Sequence, residues 1–194
     1  MRSRLKNKPQ YFVDVETTGL SNDDAIIEYC IIKVEHGIAK SIHGKVKPPK
    51  GVRVHPKAAS VNGYTPEKWK NAMTQKQAYE NIKRFCEKSG VWIAHNVQFD
   101  IGFLRRLFIK FGDDLRARRS IDTYTLAYEH LVPLGLESLG FDEIRKFLGW
   151  EVHQHHSAIQ DTWDVYKLWR RISKMGTLRR WYTILTSRKY RRSL

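Results

Sequence analysis

Polar and apolar residues alternate, or gather in short apolar runs, in the first half of the chain, which is typical of strands. Residues 10–17 alternate as a half-buried strand does, and the apolar, β-branched run 25–34 predicts a second strand. Residues 40–47 predict a third strand, which ends at the turn-forming segment 48–51. The short run 91–94 predicts a fourth, buried strand.

Helical spacing of apolar residues predicts five helices, over residues 66–88, 97–111, 121–131, 136–147 and 157–175. Thr65, which precedes Pro66, is expected to cap the first of them, and Asn96 is expected to cap the second. Strands that come first, followed by helices that alternate with strands, indicate an α/β fold in which helices cover a sheet.

The net charge of +15 is concentrated at the two ends of the chain. Residues 1–10 contain four basic residues and residues 165–194 contain ten, and neither segment contains an acid. We therefore expect a basic N-terminal arm over 1–9, one domain over 10–175, and a basic, helical extension over 176–194 that packs on or beside it. Such ends suit a polyphosphate partner such as nucleic acid, although solvated tails that aid solubility have the same composition.

The remaining composition narrows the class of protein. A chain of 194 residues with 41% hydrophobic residues is long enough for one domain with a substantial core. It has no apolar run as long as a membrane-spanning helix, and its basic start lacks the apolar region of a secretory signal. Cys30 and Cys86 are expected to be core thiols in a reducing compartment, which predicts a cytoplasmic protein.

Two acids lie on one face of the first predicted strand. Phe12, Asp14 and Glu16 point to the same side because side chains alternate along a strand, and residues 17–19 then break it. Carboxylates two positions apart repel each other unless a cation lies between them. They lie near the carboxyl end of the strand, where open α/β sheets bind ligands. A solvent-facing strand with incidental acids is the alternative.

Two further acids begin apolar helical stripes. Asp100 leads the core-facing side of the second predicted helix, and Asp161 has the same place in the last one. A buried carboxylate needs a partner, either a metal ion or a structural salt bridge to an arginine. If Ser157 is the N-cap, His156 and Asp161 occupy the two positions that pack together in a hydrophobic staple, so the imidazole lies beside the carboxylate.

Four carboxylates and one histidine suit two-metal hydrolysis of a phosphodiester. Hard oxygen ligands select Mg²⁺, with Mn²⁺ as a substitute, and two such ions stabilise the attacking and leaving oxygens. A neutral histidine takes a proton from the attacking water near pH 7. The sequence contains no phosphate-binding glycine loop, no serine-hydrolase motif and no paired-cysteine motif that would offer a rival chemistry.

Three motifs resemble, in order and spacing, the DEDDh (DnaQ-like) family of 3′–5′ exonucleases: D-x-E-T-T-G at 14–19, H-N-x-x-F-D at 95–100 and H-x-A-x-x-D at 156–161. Within that family the chain is most similar to the proofreading epsilon subunits of bacterial replicative DNA polymerase. The resemblance covers residues 10–175 and implies a ribonuclease-H-like mixed sheet of about five strands flanked by helices. It also implies nucleoside 5′-monophosphates as products, with Asp14, Glu16, Asp100 and Asp161 as metal ligands and His156 as general base.

The same resemblance implies contacts with the terminal nucleotide. Leu20 corresponds to a residue that wedges against the terminal base, residues 61–63 to a segment that lines the nucleotide, and Phe99 to a position near the scissile end. Ordinary core packing is the alternative for Leu20 and Phe99. Asp122 matches an aspartate that supports the site. The predicted substrate-binding residues are Thr17, Thr18, Leu20, Val61, Asn62, Asn96 and Phe99.

Two departures from the epsilon pattern bear on function. Lys57 stands where an acid is common and Asn62 where a histidine is common, so contacts with the terminal nucleotide are expected to differ. Because the chain ends soon after the last motif, we expect no polymerase-tethering domain, which favours a stand-alone exonuclease or a proofreader recruited in another way.

The leading hypothesis is a metal-dependent 3′–5′ exodeoxyribonuclease that acts on single-stranded or frayed DNA ends in proofreading, repair or degradation. An exoribonuclease of the ribonuclease T or oligoribonuclease kind remains open, because no residue identifies a contact to the 2′-hydroxyl. Two hypotheses from different classes are a non-catalytic binding module and a replisome-docking subunit that binds a polymerase or clamp. The sequence leaves monomer and homodimer undecided.

Overall fold

The computed structural model describes residues 8–152 and 154–190, and it describes side chains as far as residue 174. Most of the predicted N-terminal arm, 1–9, therefore lies outside the described residues, as do the side chains of the predicted extension, 176–194. Within the described part of the chain, no helix is both long enough and apolar enough to cross a membrane.

Five strands form one sheet in the described residues: β1 (Gln10–Thr17), β2 (Ile26–Glu35), β3 (Ile38–Lys45), β4 (Val91–Ala94) and β5 (Ser120–Asp122). Their order across the sheet is β3-β2-β1-β4-β5. Neighbours among the first three strands are antiparallel, whereas β4 runs parallel to β1 and β5 runs parallel to β4. The predicted α/β fold with a mixed sheet of about five strands is confirmed.

Helices in the described part of the chain flank this sheet: α1 (Pro56–Asn62), α2 (Pro66–Trp69), α3 (Gln75–Phe85), α4 (Val97–Lys110), α5 (Thr123–Leu131), α6 (Phe141–Leu148) and α7 (Ala158–Tyr190). A short 3-10 helix, Val132–Leu134, follows α5. Thr65 caps α2 as predicted. Helix α7 continues as a single helix beyond residue 175, where the predicted helix ends.

The predicted single helix over 66–88 is wrong, because the chain forms two helices there. Thr74 and Gln77 form a capping box that starts α3. Met73, just before the box, forms a parallel β-bridge with Val46. This extended pairing interrupts the helical backbone between α2 and α3, and a helical apolar pattern cannot reveal it.

Other elements also differ from the predicted ones. Strand β5 has only three residues, too few to give a period, so the predicted helix 121–131 in fact begins at Thr123. The predicted helix 136–147 begins later, at Phe141. Helix α1 was not predicted; it ends at Gly63, whose left-handed conformation (φ 65°) is one that glycine tolerates.

Alternate side chains of β1 pack in two separate cores, one on each face of the sheet. Val13 and Val15 pack with α3 and α4 on one face, whereas Phe12 packs with residues of α7 on the other. Asp14 and Glu16 share the face of Phe12 because side chains alternate along the strand. Both carboxylates therefore lie on the face that α7 covers.

Candidate active site

The carboxyl end of β1 carries two acids of the predicted set. Asp14 is half-buried and Glu16 is 9% exposed. Glu16 lies directly opposite Glu28 of β2, and the register of the two strands shifts immediately after this pair, where regular pairing ends. Burial and the nearby carboxylates of Asp100 and Asp161 raise the pKa of Asp14 well above its ordinary value.

Asp100, in the first turn of α4, is held beside this strand by a hydrogen bond from the backbone. Its Oδ1 accepts a hydrogen bond of 3.0 Å from the N–H of Val15, and the residue is 2% exposed. Since Val15 lies between Asp14 and Glu16 in the sequence, this bond brings Asp100 next to the acids of β1. Burial raises the pKa of Asp100 well above its ordinary value, although the Val15 N–H acts in the opposite direction.

The start of α4 is fixed by Asp122 rather than by the side chain of Asn96, which the sequence predicts as the cap. Asn96 occupies the cap position in a left-handed conformation (φ 70°), and its side chain makes no capping hydrogen bond. The Asp122 carboxylate accepts instead from the N–H groups of Asn96 at 2.9 Å and Val97 at 3.2 Å. It also caps α5 through the N–H of Tyr124 at 2.9 Å. One carboxylate therefore ties together two helix N-termini, one of which carries Asp100.

His156 and Asp161 meet at the start of α7, at the two positions that the helix-cap argument pairs. Nδ1 of His156 lies 3.3 Å from Oδ2 of Asp161. The N–H of Asp161 donates to the carbonyl oxygen of Ser157 at 2.9 Å, and the N–H of His156 donates to that of Val61 at 3.0 Å. The hydrogen-bonded contact with Asp161 raises the pKa of His156 above its ordinary value.

The cluster of charged groups fits a divalent cation. Glu16, His156 and Asp161 offer ligand atoms that all lie within 4.8 Å of one another. Burial, followed by the charge of Asp161, raises the pKa of Glu16 to about 7. Carboxylates with raised pKa values are held in their charged form at a cost, and a cation among them offsets that cost. Carboxylate oxygens with one imidazole nitrogen are a suitable donor set for a hard divalent metal ion.

Arg145 of α6, which was not predicted from the sequence, is buried against Asp161. It is 1% exposed, and its Nη2 donates a hydrogen bond to Oδ1 of Asp161. Its Nε donates to Asp164 at 3.0 Å and its Nη1 to Asp142 at 2.7 Å. The arginine salt bridge that the sequence left open for such an acid is thus found at Asp161. The sequence could have revealed this arginine, because it is a charged residue on the apolar stripe of α6, beside Ile144.

Glu28 is another buried acid that was not predicted to belong to the site. It is 4% exposed and faces Glu16 across the β1–β2 pair. Its Oε1 lies 2.8 Å from Nε2 of His43 on β3. The imidazole of His43 thus gives one of the two facing carboxylates a hydrogen-bonding partner. The sequence feature that could have revealed Glu28 is an acid within the apolar run 25–34.

A cleft of about 890 Å³ opens beside these acids, and Glu16 is part of its lining. Leu20 is 83% exposed and Val61 is 41% exposed, so core packing does not account for either side chain. Phe99 is half-buried and contacts Phe103, with 4.8 Å between ring centroids. The predicted substrate-binding residues that line the cleft are Thr17, Leu20, Val61, Asn62 and Phe99.

Two predicted contacts, Thr18 and Asn96, are not part of the cleft lining. Thr18 is fully buried, and its Oγ1 donates to Oδ1 of Asp24 at 2.6 Å, so it stabilises the loop that forms one wall of the cleft. Asn96 is exposed at the start of α4. Asn62 does line the cleft, but it is 6% exposed and its Nδ2 donates to the carbonyl oxygen of Thr17 at 3.2 Å. Its side chain therefore supports the wall of the cleft from within.

Sequence alignments with curated relatives cover most of this chain. DNA polymerase III PolC-type of Pediococcus pentosaceus is 31% identical over 160 residues, an alignment that covers 81% of this chain and 11% of the relative. DNA polymerase III PolC-type of Thermotoga maritima is 35% identical over 153 residues, with 77% and 11% covered. The chain therefore spans 11% of the length of these curated relatives.

Solved structures share the fold at low sequence identity. E. coli exonuclease I in complex with a dT13 oligonucleotide superposes with a TM-score of 0.75 at 18% identity, over 92% of this chain and 43% of that one. The nuclease domain of 3′hExo, a DEDDh family member bound to rAMP, gives a TM-score of 0.70 at 14% identity, over 88% of this chain and 94% of that one.

The model of the Exonuclease family, RNase_T, matches residues 11–169, which include the sheet apart from Gln10 and also the start of α7. This match spans the three motifs and agrees with the fold of the solved neighbours. The chain belongs to the exonuclease family, with the fold of its DEDDh 3′–5′ nucleases.

Proposed function

We propose that this domain is a metal-dependent 3′–5′ exodeoxyribonuclease that releases nucleoside 5′-monophosphates from the 3′ end of single-stranded or frayed DNA. The observation that carries the proposal is the meeting of four carboxylates and one imidazole beside a cleft with an exposed apolar rim. Crystallisation of the neighbour exonuclease I with dT13 supports a single-stranded DNA substrate. The residues proposed as catalytic are Asp14, Glu16, Asp100, His156 and Asp161.

Two divalent ions, Mg²⁺ with Mn²⁺ as a substitute, would be held by Asp14, Glu16, Asp100 and Asp161. Oxygen donors of this kind favour Mg²⁺ and Mn²⁺ over softer metals. When bound, such ions stabilise the negative charge that develops on the attacking and leaving oxygens of a phosphodiester. The raised pKa values of Asp14 and Glu16 support the assignment, because burial and neighbouring carboxylates make the ionised forms costly and a bound cation would offset that cost.

His156 is assigned the role of general base. Its side chain is 43% exposed, so it reaches the solvent that supplies the attacking water. Nδ1 faces Asp161, which leaves Nε2 to accept the proton of that water. The backbone bond from His156 to Val61 holds the imidazole near a residue of the cleft lining.

The cleft suits the terminal nucleotide of a strand. Leu20, Val61 and Phe99 offer apolar surface to the base, a contact that tolerates any base sequence. Arg53 and Lys57 line the same cleft and suit the phosphates of the incoming strand. Lys57, a departure from the epsilon pattern, therefore adds positive charge where the terminal nucleotide would bind.

Wider roles form part of the same proposal. Recruitment to a polymerase or clamp for proofreading is supported by the PolC-type relatives, of which this chain covers 11%. The basic ends, 1–9 and 176–194, are proposed to bind the nucleic-acid backbone beyond the cleft.

The test is cleavage of 5′-labelled single-stranded DNA in the presence of Mg²⁺ or of EDTA. We expect a ladder that shortens from the 3′ end with Mg²⁺ and intact substrate with EDTA. Asp14→Asn should abolish the ladder, whereas Asp114→Asn, an exposed acid beyond the far end of α4, should not. Activity that survives Asp14→Asn would contradict the metal-ligand assignment.

The same assay with duplex DNA and with RNA of matching sequence decides the substrate class. We expect single-stranded DNA to shorten fastest, and faster shortening of RNA would favour an exoribonuclease. Products should co-migrate with nucleoside 5′-monophosphates, because the proposed attack displaces the 3′-oxygen of the preceding nucleotide. Nucleoside 3′-monophosphates would exclude this chemistry.

A further inference from the structure

A buried arginine joins α6 to the proposed metal site. Arg145 is 1% exposed, and each of its contacts uses a different nitrogen and a different carboxylate. Nε donates to Asp164 at 3.0 Å, Nη1 donates to Asp142 at 2.7 Å, and Nη2 donates to Asp161. The guanidinium carbon also lies 4.8 Å from the centroid of the Phe141 ring. The plane of the guanidinium is thereby fixed from several sides.

Two buried acids of α7, Asp161 and Asp164, bind the guanidinium and have different roles. Asp164 is buried, its Oδ2 accepts from Arg145, and its Oδ1 lies 2.8 Å from Nζ of Lys167. It is therefore an anchor for the guanidinium through Nε, whereas Asp161 is bound through Nη2. Asp161, three positions earlier, is the acid that the anchored guanidinium meets on the side of the cluster.

The two oxygens of Asp161 have different surroundings. Oδ1 accepts the hydrogen bond from Arg145, whereas Oδ2 lies 3.3 Å from Nδ1 of His156. Asp161 also offers a ligand atom in the group it forms with Glu16 and His156. With Oδ1 engaged by the guanidinium, Oδ2 is the oxygen directed toward that group.

We propose that Arg145 is a positioning residue that makes Asp161 a single-oxygen ligand and thereby sets the affinity of the site for its divalent cation. This inference rests on the proposed metal-dependent function. Groups that orient a ligand from behind commonly change metal affinity about 10- to 100-fold when removed. A purely structural alternative is that Arg145 only fastens α6 to α7.

A charge-matched double variant separates these two roles. Arg145→Met with Asp164→Leu replaces a buried ion pair by apolar side chains and leaves the net charge of the protein unchanged. Such replacements preserve or raise stability in other buried pairs, and Asp161 keeps its contact with His156, so the double variant is expected to fold. A fall in metal affinity then reports the lost orientation of Asp161, because removal of the positive charge that touches Asp161 would by itself raise its affinity for a cation.

The control variant is Lys146→Met on the same helix. Lys146 pairs with Glu143 at 2.6 Å on the exposed side of α6, with both side chains about half exposed. It makes no described contact with the acids of the site. Removing this pair should leave metal binding, cleavage and unfolding temperature close to those of the parent protein.

The measurements are Mn²⁺ affinity by calorimetry, without DNA, and the kinetics of cleavage of a short single strand. For the double variant we expect Mn²⁺ to bind about tenfold more weakly, with an unfolding temperature near that of the parent. The kcat should fall at low Mg²⁺ and recover partly at high Mg²⁺, while the KM for DNA stays unchanged because the cleft lining is untouched.

Arg145→Lys gives a second line of evidence. It keeps the charge but cannot make the three directed contacts of a guanidinium, so Mn²⁺ affinity should fall although the charge is retained. Mn²⁺ affinity of both variants equal to or above that of the parent would overturn the positioning role. A parent protein that binds Mn²⁺ but cleaves no strand would instead overturn the proposed function, so the two failures are distinct.

Discussion

The carboxylate of Asp100 accepts a hydrogen bond of 3.0 Å from the backbone N–H of Val15, the residue between the two acids of β1. This bond therefore joins α4 to β1 beside the carboxylates of Asp14 and Glu16. The same bond offers a way to separate the structural contribution of Asp100 from its charge.

Asp100→Asn keeps an oxygen that accepts the Val15 N–H and removes one buried negative charge. We expect the unfolding temperature in EDTA at pH 8 to stay the same or rise, because burial and neighbouring acids already oppose ionisation at this position. Cleavage should fall roughly a hundredfold or more, because a proposed ligand has lost its charge. Asp100→Ala, which also loses the hydrogen bond, should unfold at a lower temperature than Asp100→Asn. Equal unfolding temperatures would mean that the bond contributes no stability.

The stability of the metal-free protein should fall as the pH rises. The pKa of Glu16 is raised to about 7 in the folded protein, from an ordinary value of 4.5, so the folded state binds this proton more tightly than the unfolded chain. The corresponding stability is present below about pH 4.5 and is lost as the pH rises through 7, on the order of 3 kcal/mol. Asp14 and Asp100, whose pKa values are also raised, act in the same direction.

Thermal unfolding in EDTA at pH 5 and pH 8 measures this effect. Glu16→Gln should reduce the difference between the two pH values, because the substituted side chain does not titrate. Mg²⁺ should raise the unfolding temperature of the parent protein more at pH 8 than at pH 5, since protons compete with the metal for carboxylates. An unfolding temperature that is independent of pH in EDTA would contradict the electrostatic account of the site.

Asp122→Ala should weaken both stability and turnover. It removes the cap of α4 and the cap of α5, a loss of about 2 kcal/mol. Since α4 carries Asp100, we expect kcat to fall while the KM for DNA changes little. Thr74→Ala is the matched control: it removes the capping box of α3, outside the cleft lining, and should lower stability without changing kcat. If both variants lower kcat alike, the effect of Asp122 is general destabilisation.

Leu20→Ala tests the exposed rim of the cleft. Leu20 is 83% exposed, so the unfolding temperature should not change. Degradation of a frayed duplex should slow about fivefold relative to a single strand, equivalent to about 1 kcal/mol, because a wedge acts only where the terminal base must be separated from its partner strand. Ile109→Ala removes a similarly exposed side chain, 68% exposed, from the far end of α4 and should leave both rates unchanged. Equal slowing on both substrates would contradict a wedge role for Leu20.

Local periodicity predicts the part of the site that depends on local geometry. Alternation along a strand is sufficient to bring Asp14 and Glu16 to one face, and a helical stripe is sufficient to turn Asp100 toward the core. The proximity of His156 to Asp161 also follows from a local rule, the packing of two positions against each other across a helix N-cap. These relations need no knowledge of which elements pack together.

The contacts of Arg145 and Glu28 depend on tertiary packing and were missed for that reason. Arg145 acts across α6 and α7, and Glu28 faces Glu16 only because β1 and β2 pair in a specific register. Asn96 was expected to cap α4, but a left-handed backbone lets Asp122 of another strand take that role. In each case the decisive partner is remote in sequence, and periodicity carries no information about it.

The docking of α7 onto the sheet has a consequence for the newborn chain. The rings of Phe12 on β1 and Tyr166 on α7 pack edge to face with 5.0 Å between their centroids, a contact between positions 154 apart. Contacts at such separation form late because a long loop must close first. A polypeptide still leaving the ribosome therefore holds the acids of β1 and α4 without His156 or Asp161. The proposed hydrolytic site is therefore complete only once α7 has docked on the sheet.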